Sequence, residues 1–334
     1  MKISDNVRMV PVPEDQPMRP TSTNIYIIGQ RGGQTLTIDS GEAIDKFRWM
    51  LRGYLAAIDH SEIGVAAITH HHFDHSGNLK HVREHLKAEI AVPENGVKLL
   101  KRQLPKDNEG VKTYTDGDTI DLDGGVSVQV MTSPGHSVDS LCYYIEEEGI
   151  LFTGDTILGN TTTVVGDINS YMASLHRLLE LPNVKVLCPG HGPLIRDTDE
   201  AKARDRLEMY VNHRQMREDQ ILEQLQDGEP KTSWQIMETI YGDSIDKRLR
   251  RAADGNVQAH LKSLQKSGVV RASRGEKKKP NPATVAKNKA KEKANQKIIQ
   301  QGKKLDKAQR AKILAQQENP PTDLWKKPPT YQLR

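Results

Sequence analysis

The feature that most constrains this chain is a cluster of histidines. Four of its twelve histidines fall between His70 and His75, with a carboxylate among them. The cluster follows a short apolar run at residues 65–68, which predicts a buried strand. Imidazole and carboxylate groups bind zinc, and they also suit iron or manganese. In the spacing His-x-His-x-Asp-His, His70 and His72 can point one way while Asp74 and His75 turn toward a second position. The stretch predicts half of a metal site rather than a polar surface loop.

Three further predicted strands are each followed by a loop that contains a similar side chain. They cover residues 126–131, 149–152 and 184–187, and the loops that follow them contain His136, Asp155 and His191, respectively. Each of these side chains lies next to a glycine, which lets the backbone turn sharply close to a bound ion. A single histidine after Pro-Gly is more often a turn residue. The recurrence of potential ligands at the ends of several predicted strands, however, indicates a common site. With the first loop, the sequence offers seven candidate ligands.

The N-terminal part alternates strands and helices. Residues 24–28 and 34–38 predict a hairpin from their alternation and their glycines, and Asp39 ends the second strand. Residues 44–58 carry apolar side chains at helical spacing and lead into the strand before His70. A strand, a helix and a strand in succession predict α/β organisation.

Length and cysteine content set the broad class. The 334 residues predict about two domains. Two cysteines, Cys142 and Cys188, are too few for a disulfide framework, which favours a reducing, intracellular compartment. No apolar run approaches the roughly eighteen residues of a membrane span, and the first residues lack the apolar stretch of a signal peptide. We therefore expect a cytoplasmic protein without a membrane span, with the mitochondrial matrix left open.

The order of the candidate ligands resembles that of the metallo-β-lactamase-fold hydrolases. Their signature is His-x-His-x-Asp-His, then a single His, an Asp and a final His. The resemblance implies a four-layer αβ/βα sandwich that holds two zinc ions, with iron or manganese as alternatives. One ion would be held by His70, His72 and His136, the other by Asp74, His75 and His191, with Asp155 bridging them and Asp39 orienting a ligand histidine.

Two residues depart from that family pattern. Asn78 stands where the family usually has a second glycine, and His71 is an uncommon residue between the first two ligands. Neither departure removes a ligand. His71 is either a spectator, a contact to the substrate or a competitor for metal.

A pair of metal ions indicates the reaction class. Two cations about 3.5–4 Å apart can share a hydroxide and stabilise the charge that develops on a carbonyl or phosphoryl group under attack. Asp74 is the candidate catalytic residue, since it could orient this metal-bridging hydroxide and handle its proton. Amide, ester, thioester and phosphodiester hydrolysis all remain open at this point.

The region after the last ligand predicts three helices and a short strand. The first two helices cover residues 199–226 and 232–240, the third contains residues 257–264 and ends near Gly268, and the strand covers 269–272. This order resembles the winged-helix appendage of the β-lactamase-like-protein-2 family, and the likeness runs from about residue 1 to residue 272. The resemblance implies an endonuclease on single-stranded RNA, whereas fungal relatives of similar architecture act as thioesterases. Such an appendage either contacts nucleic acid or packs on the catalytic domain.

The C-terminal segment differs in charge from the rest of the chain. Residues 275–334 contain sixteen Lys and Arg against five Asp and Glu, a net charge of +11, so the remainder carries −7. Residues 285–317 favour helix but have few large apolar side chains, which predicts a partly helical or disordered extension, or a basic arm that holds RNA. Prolines around Trp325 and Tyr331 predict an extended segment that docks on this protein or on a partner.

These observations lead to one domain division and three functional hypotheses. We expect a catalytic domain at residues 1–198, a winged-helix-like domain at 199–274 and a basic tail at 275–334. The favoured hypothesis is a dinuclear metal-dependent hydrolase that cleaves single-stranded RNA bound in part by the tail. The first alternative is a hydrolase of small thioesters such as acyl-CoA, acyl-carrier or glutathione conjugates. The second is a nucleic-acid-binding protein with an inactive site.

Overall fold

The computed structural model describes residues 1–13, 22–58, 62–198, 201–279, 282–300, 305–320 and 325–334. Among these residues the chain forms two compact units. The first contains residues within 1–163 and 170–210, and the second contains residues within 164–169 and 211–334. The domain boundaries predicted after residues 198 and 274 stay predictions.

The first unit contains two six-stranded sheets. Strands of the first sheet lie side by side in chain order: β1 Val7–Pro13, β2 Ser22–Ile28, β3 Thr35–Ile38, β4 Ile63–Ala67, β5 Glu89–Pro93 and β6 Val111–Tyr114. β1, β2 and β3 pair antiparallel, whereas β3 to β6 pair parallel. The parallel part places the carboxyl ends of several strands, and the loops that follow them, at one edge of the sheet.

The second sheet has the order β12-β11-β10-β9-β8-β7. Its strands are β7 Thr119–Asp121, β8 Ser127–Thr132, β9 Leu141–Ile145, β10 Ile150–Gly154, β11 Val186–Pro189 and β12 Ile195–Arg196. β10 and β11 pair parallel, and the other neighbours pair antiparallel. β9 and β10 are buried at every position, which explains why their sequences are almost continuously apolar.

Side chains from both sheets form one hydrophobic core. The rings of Tyr26 on β2 and Phe152 on β10 meet edge to face, with 5.0 Å between their centroids. Among the described residues, four α-helices lie between these strands in sequence: α1 Asp45–Ala57, α2 Phe73–Ser76, α3 Leu79–Leu86 and α4 Ile168–Leu179, whose first two residues belong to the second unit. α3 packs on β4 and β5. The predicted α/β organisation is confirmed, and the predicted helix at 44–58 corresponds to α1.

The second unit is built on α5 Ala203–Gln224 from residue 211 onward, and on helices α6 Ser233–Tyr241 and α7 Arg250–Lys266. Thr232 caps α6 by accepting from the backbone N–H of Gln235, whose side chain accepts in turn from the backbone N–H of Thr232. Apolar side chains of α5, α6 and α7 share one core. The helix predicted at 199–226 corresponds to α5, and its first two residues lie outside the described residues.

A two-stranded ribbon follows α7 and includes the C-terminus. β13 Val270–Ala272 pairs antiparallel with β16 Tyr331–Leu333, and β14 Glu276–Lys277 pairs with β15 Trp325–Lys327. Helices α8 Pro282–Gln300 and α9 Lys307–Glu318 lie between the two strands of the ribbon in sequence. α9 packs against α7. The extended segment predicted around Trp325 and Tyr331 therefore docks on this protein, and the basic helices are an insertion within the wing.

None of the helices in the described part of the chain is long and apolar enough to cross a membrane.

Candidate metal centre

The candidate ligands lie in the segments that follow strands of both sheets. The loop after β4 contains His70, whereas Asp155 and His191 follow β10 and β11. The backbone N–H of Leu141, at the start of β9, donates to the carbonyl of Thr69 at 2.7 Å. This bond holds the histidine loop of the first sheet against the second sheet, so ligands that are far apart in sequence meet at one edge.

Three histidines form the first group of converging side chains. Nε2 of His70 lies 2.8 Å from Nδ1 of His72, and Nε2 of His136 lies 3.2 Å from the same Nδ1. The three nitrogens all lie within 4.8 Å of one another. Since a neutral imidazole offers a lone pair to a cation, these side chains make a three-nitrogen donor set.

The second group combines a carboxylate with two histidines. Oδ2 of Asp74 lies 3.2 Å from Nε2 of His191 and 3.5 Å from Nε2 of His75. One ligand atom from each residue lies within 4.8 Å of the other two. This oxygen and nitrogen set suits zinc, iron or manganese.

Asp155 lies between the two groups. Its Oδ1 is 3.4 Å from Nε2 of His75 and 3.5 Å from Nε2 of His191. Its Oδ2 is 3.6 Å from Nε2 of His136. The two oxygens of one carboxylate thus face different groups, so Asp155 can serve both.

Asp39 and Thr69 orient the rings of His75 and His70 through contacts to their Nδ1 atoms. Nδ1 of His75 donates to Oδ2 of Asp39 at 2.7 Å. Oδ1 of Asp39 accepts from the backbone N–H of Thr69 at 2.8 Å and from its hydroxyl at 3.0 Å. The same hydroxyl lies 3.0 Å from Nδ1 of His70. These contacts engage the outer ring nitrogens and leave both Nε2 atoms facing inward.

Two more outer contacts complete this arrangement. Nδ1 of His136 lies 3.0 Å from the hydroxyl of Thr163, and Nδ1 of His191 donates to the carbonyl of Ser22 at 3.1 Å. Sequence reasoning missed Thr69, Thr163 and Ser22. Thr69 precedes His70 directly and could have been found from that position, whereas the other two are far from their partners in sequence and carried no signal.

Burial and repulsion from neighbouring histidines lower the pKa values of His70 and His72. Burial, together with the nearby His75 and His136, lowers the pKa of His70 well below its ordinary value. Burial followed by the charge of His136 lowers the pKa of His72 to about 4. Both imidazoles are therefore neutral at pH 7, the form in which a histidine binds a metal ion.

In the second group, carboxylates outweigh burial. Burial lowers the pKa of His75, but the surrounding carboxylates, led by Asp39, hold it well above its ordinary value. Burial also opposes the charge on His191, yet Asp155 raises its pKa to about 10. Burial raises the pKa of Asp155, but His191 and His75 hold it well below its ordinary value. Carboxylates gathered at this density attract positive charge, which protons or a divalent cation can supply.

The residues present fit a divalent cation. Nε2 of His75 and Oδ1 of Asp155 are buried, and neither makes a hydrogen bond of good geometry to a described residue. Buried polar atoms without hydrogen bonds cost free energy, which a coordinated cation would offset. A Cβ atom built on Gly190 would lie 2.6 Å from Oδ1 of Asp155 and 2.8 Å from Cε1 of His75. Glycine at this position is therefore required for the backbone to pass so close to the ligands.

The two departures from the family pattern lie apart from these groups. Nδ2 of Asn78 donates to the carbonyls of Ser40 at 2.9 Å and Glu42 at 2.6 Å, so it holds the loop after β3. His71 belongs to none of the three ligand groups found among the described residues, and its Nδ1 lies 2.8 Å from Oδ1 of Asp139. The structure thus brings together the seven predicted ligands and Asp39, and their assignment as metal ligands stays a prediction.

Two family models match the sequence. Residues 18–191 match the metallo-beta-lactamase superfamily, and residues 232–278 match the beta-lactamase associated winged helix domain. The chain is 33% identical over 273 residues to a beta-lactamase-like protein 2 homolog from Caenorhabditis elegans, an alignment that covers 80% of this chain and 87% of that protein. It is also 33% identical over 211 residues to an atrochrysone carboxyl ACP thioesterase from Aspergillus fumigatus, covering 63% of this chain and 61% of that protein.

Solved structures share the fold. A metallo-beta-lactamase family protein from Thermus thermophilus superposes with a TM-score of 0.65 at 25% identity, over 82% of this chain and 97% of that one. A beta-lactamase domain protein from Burkholderia ambifaria superposes with a TM-score of 0.69 at 18% identity, over 82% and 90% of the two chains. The predicted sandwich with a C-terminal winged helix is confirmed. The chain therefore belongs to the metallo-beta-lactamase superfamily of metal-dependent hydrolases, and its relatives include the beta-lactamase-like protein 2 homologs.

Proposed function

We propose that this hydrolase uses two divalent cations, zinc first and iron or manganese as alternatives. One cation would be held by His70, His72 and His136, the other by Asp74, His75 and His191, and Asp155 would contact both. The observation that carries the proposal is the convergence of these ligand atoms into overlapping groups within 4.8 Å. Bound cations would lower the pKa of a coordinated water and polarise the group under attack.

Residues of the chain itself would accept the proton of the attacking water and orient the metal ligands. We assign to Asp74 the orientation of the attacking water and the acceptance of its proton, since its buried carboxylate lies at the centre of the second group. Asp39 keeps Nε2 of His75 directed inward through the bond at Nδ1. Glycine at position 190 keeps the space beside Asp155 open.

For the substrate, we propose single-stranded RNA. The supporting observation is the composition of α8, which is rich in exposed lysines. Five exposed lysines lie on this one helix: Lys287, Lys289, Lys291, Lys293 and Lys297. Lysines neutralise the phosphates of a nucleic acid and release its counterions, so such a helix favours a polyanionic substrate. α8 lies between the two strands of the wing ribbon in sequence.

A second candidate is thioester hydrolysis. It is supported by the thioesterase name of the Aspergillus fumigatus relative, which is 33% identical to this chain. The same cations and the same Asp74 would serve an acyl thioester, because both reactions develop negative charge on an oxygen of the group under attack. The basic helix α8 would have no role in binding a small thioester, and for this reason we prefer RNA as the substrate.

One experiment separates these functions. Purified protein of measured metal content is given a labelled unstructured RNA and a panel of acyl-CoA, acyl-carrier and glutathione thioesters. We expect RNA cleavage by the wild type, and we expect His72→Ala to lose both metal and cleavage. His85→Ala, which changes an exposed histidine of α3, is the matched control and should keep both. Thioester hydrolysis without RNA cleavage would establish the second candidate. RNA binding without turnover of any substrate would contradict the hydrolase.

A further inference from the structure

A histidine–aspartate pair lies beside the candidate metal centre. Nδ1 of His71 lies 2.8 Å from Oδ1 of Asp139. The side chain of Asp139 is fully buried, whereas the side chain of His71 keeps 28% of its exposure. A Cβ atom on Gly96 would lie 2.7 Å from Oδ2 of Asp139, so the chain approaches the carboxylate closely on its other side. A buried carboxylate thus fixes the ring of a partly exposed histidine.

The hydrogen bonds around Asp139 determine which nitrogen of His71 carries the hydrogen. Ser137 donates its hydroxyl hydrogen to Oδ1 of Asp139 at 2.5 Å, and this hydroxyl also lies 3.2 Å from Nδ1 of His71. A carboxylate oxygen only accepts, so Nδ1 of His71 must donate to it. In the tautomer that this bond selects, Nε2 carries the acceptor lone pair, and among the described residues Nε2 has no hydrogen-bond partner.

The ring of His71 lies next to two of the candidate ligands. Its ring centroid lies 4.8 Å from that of His72 and 6.5 Å from that of His70, two proposed ligands of one cation. A substrate whose scissile group lies at that cation would have its neighbouring atoms close to the partly exposed ring of His71. A hydrogen-bond acceptor at this point would pair with a hydrogen-bond donor of the substrate.

We propose that Nε2 of His71 accepts a hydrogen bond from a substrate hydroxyl, and that Asp139 positions the ring for this contact. The inference rests on the proposed RNA substrate. In RNA the hydroxyl next to a scissile phosphate is the ribose 2′-OH, the group that lets a protein distinguish RNA from DNA at a given site. His71 is therefore the residue that selects ribose over deoxyribose beside the bond that is cut.

The test uses RNA oligonucleotides that each carry one 2′-deoxy nucleotide, with that position moved stepwise along the strand. A hydrogen bond of ordinary strength contributes about a factor of ten. Wild-type protein should cleave the bond beside the deoxy nucleotide about tenfold more slowly than the same bond in all-ribose RNA. His71→Phe, which keeps a ring but removes the acceptor, should cleave all-ribose RNA about tenfold more slowly and should be slowed no further by the deoxy nucleotide.

Two more variants separate substrate contact from a structural role. His71→Gln restores an acceptor oxygen and should recover part of the ribose preference. Asp139→Asn should weaken that preference while the metal content and the thermal midpoint stay close to wild type. A His71→Phe protein that keeps the tenfold ribose preference would overturn the inference and leave the ribonuclease intact. Wild-type protein that cleaves no RNA would remove both the proposed substrate and this inference.

Discussion

Nδ1 of His75 lies 2.7 Å from Oδ2 of Asp39, and both side chains are buried. Asp39 follows β3 and His75 lies in α2 after β4, so the bond joins the segments that follow two neighbouring strands of the first sheet. The backbone of Asp39 has a φ of 66°, in the left-handed region that costs a non-glycine residue about 1–2 kcal/mol. Hydrogen bonds to His75 and Thr69 offset this cost. The candidate metal centre and the local fold therefore share the same carboxylate.

Replacing Asp39 should weaken metal binding. Asp39→Asn keeps the size of the side chain but loses the charge that orients the His75 ring, so we expect metal affinity to fall by about 10–100-fold. Competition with a chelator of known affinity measures the change. Asp123→Asn removes the same charge from an exposed turn and should leave affinity unaltered. Equal affinities for the two variants would contradict the orienting role of Asp39.

Replacing Asp74 should separate catalysis from metal content. Asp74→Ala, assayed at metal concentrations that keep both ions bound, should reduce turnover by at least about 10²–10⁴-fold, the usual contribution of a positioned acid or base. Metal analysis of the assayed sample verifies occupancy. Turnover close to wild type with both ions bound would rule out Asp74 as the proton acceptor, whatever the substrate is.

A single methyl group at position 190 should disrupt the metal centre. Gly190→Ala would place Cβ 2.6 Å from Oδ1 of Asp155, so the carboxylate or the loop must move, and we expect loss of metal and activity. Gly53→Ala is the matched control, because a Cβ on this residue of α1 meets nothing within 4 Å. There the methyl group should raise stability by about 0.5–1 kcal/mol. Metal analysis and thermal unfolding of both variants test the pair, and full metal occupancy in Gly190→Ala would show that the site tolerates the methyl group.

Neutralising α8 should weaken RNA binding and its dependence on salt. A variant carries glutamine at all five positions: Lys287, Lys289, Lys291, Lys293 and Lys297. Each neutralised phosphate adds about 0.7 to the slope of log affinity against log salt for single strands, so the slope should flatten by that amount for every phosphate that a lysine no longer neutralises. A five-arginine variant keeps the charge and should keep the slope. An unchanged slope in the glutamine variant would exclude α8 as the surface that binds RNA.

This design is preferable to deleting the basic tail. A truncation at residue 275 would also remove β16, whose pairing with β13 forms the wing. Tyr331 and Leu333 pack against the core of the second unit, so their loss would lower stability as well as charge. A change in RNA binding after such a deletion would combine both effects.

The candidate ligands were predictable because their signal is local. The His-x-His-x-Asp-His spacing is contained in six residues, and the other three ligands each follow an apolar strand and lie beside a glycine. Alternating and apolar runs likewise predicted the α/β sheets, since the burial of a strand or helix appears directly as a periodic order of apolar and polar residues. Resemblance to a known family added the grouping of these ligands.

Only the tertiary structure decided which atoms face inward and what supports them. His72 presents Nδ1 whereas His70 presents Nε2, and this difference depends on the contacts of each ring. The hydroxyl of Thr163 and the carboxylate of Asp139 reach their histidines across 27 and 68 residues of chain. Such contacts arise from packing between separate strands, for which neither spacing nor composition carries a signal.

At the C-terminus, too, the local sequence predicted the backbone conformation, whereas packing decided which segments pair. Prolines near Trp325 and Tyr331 predicted an extended segment from the sequence alone, because proline restricts the backbone locally. The partner of that segment is β13, about sixty residues earlier, and the ribbon they form encloses α8 and α9 as an insertion. Sequence determined the conformation of each piece, and the pairing of strands distant along the chain decided that the basic helices belong to the wing.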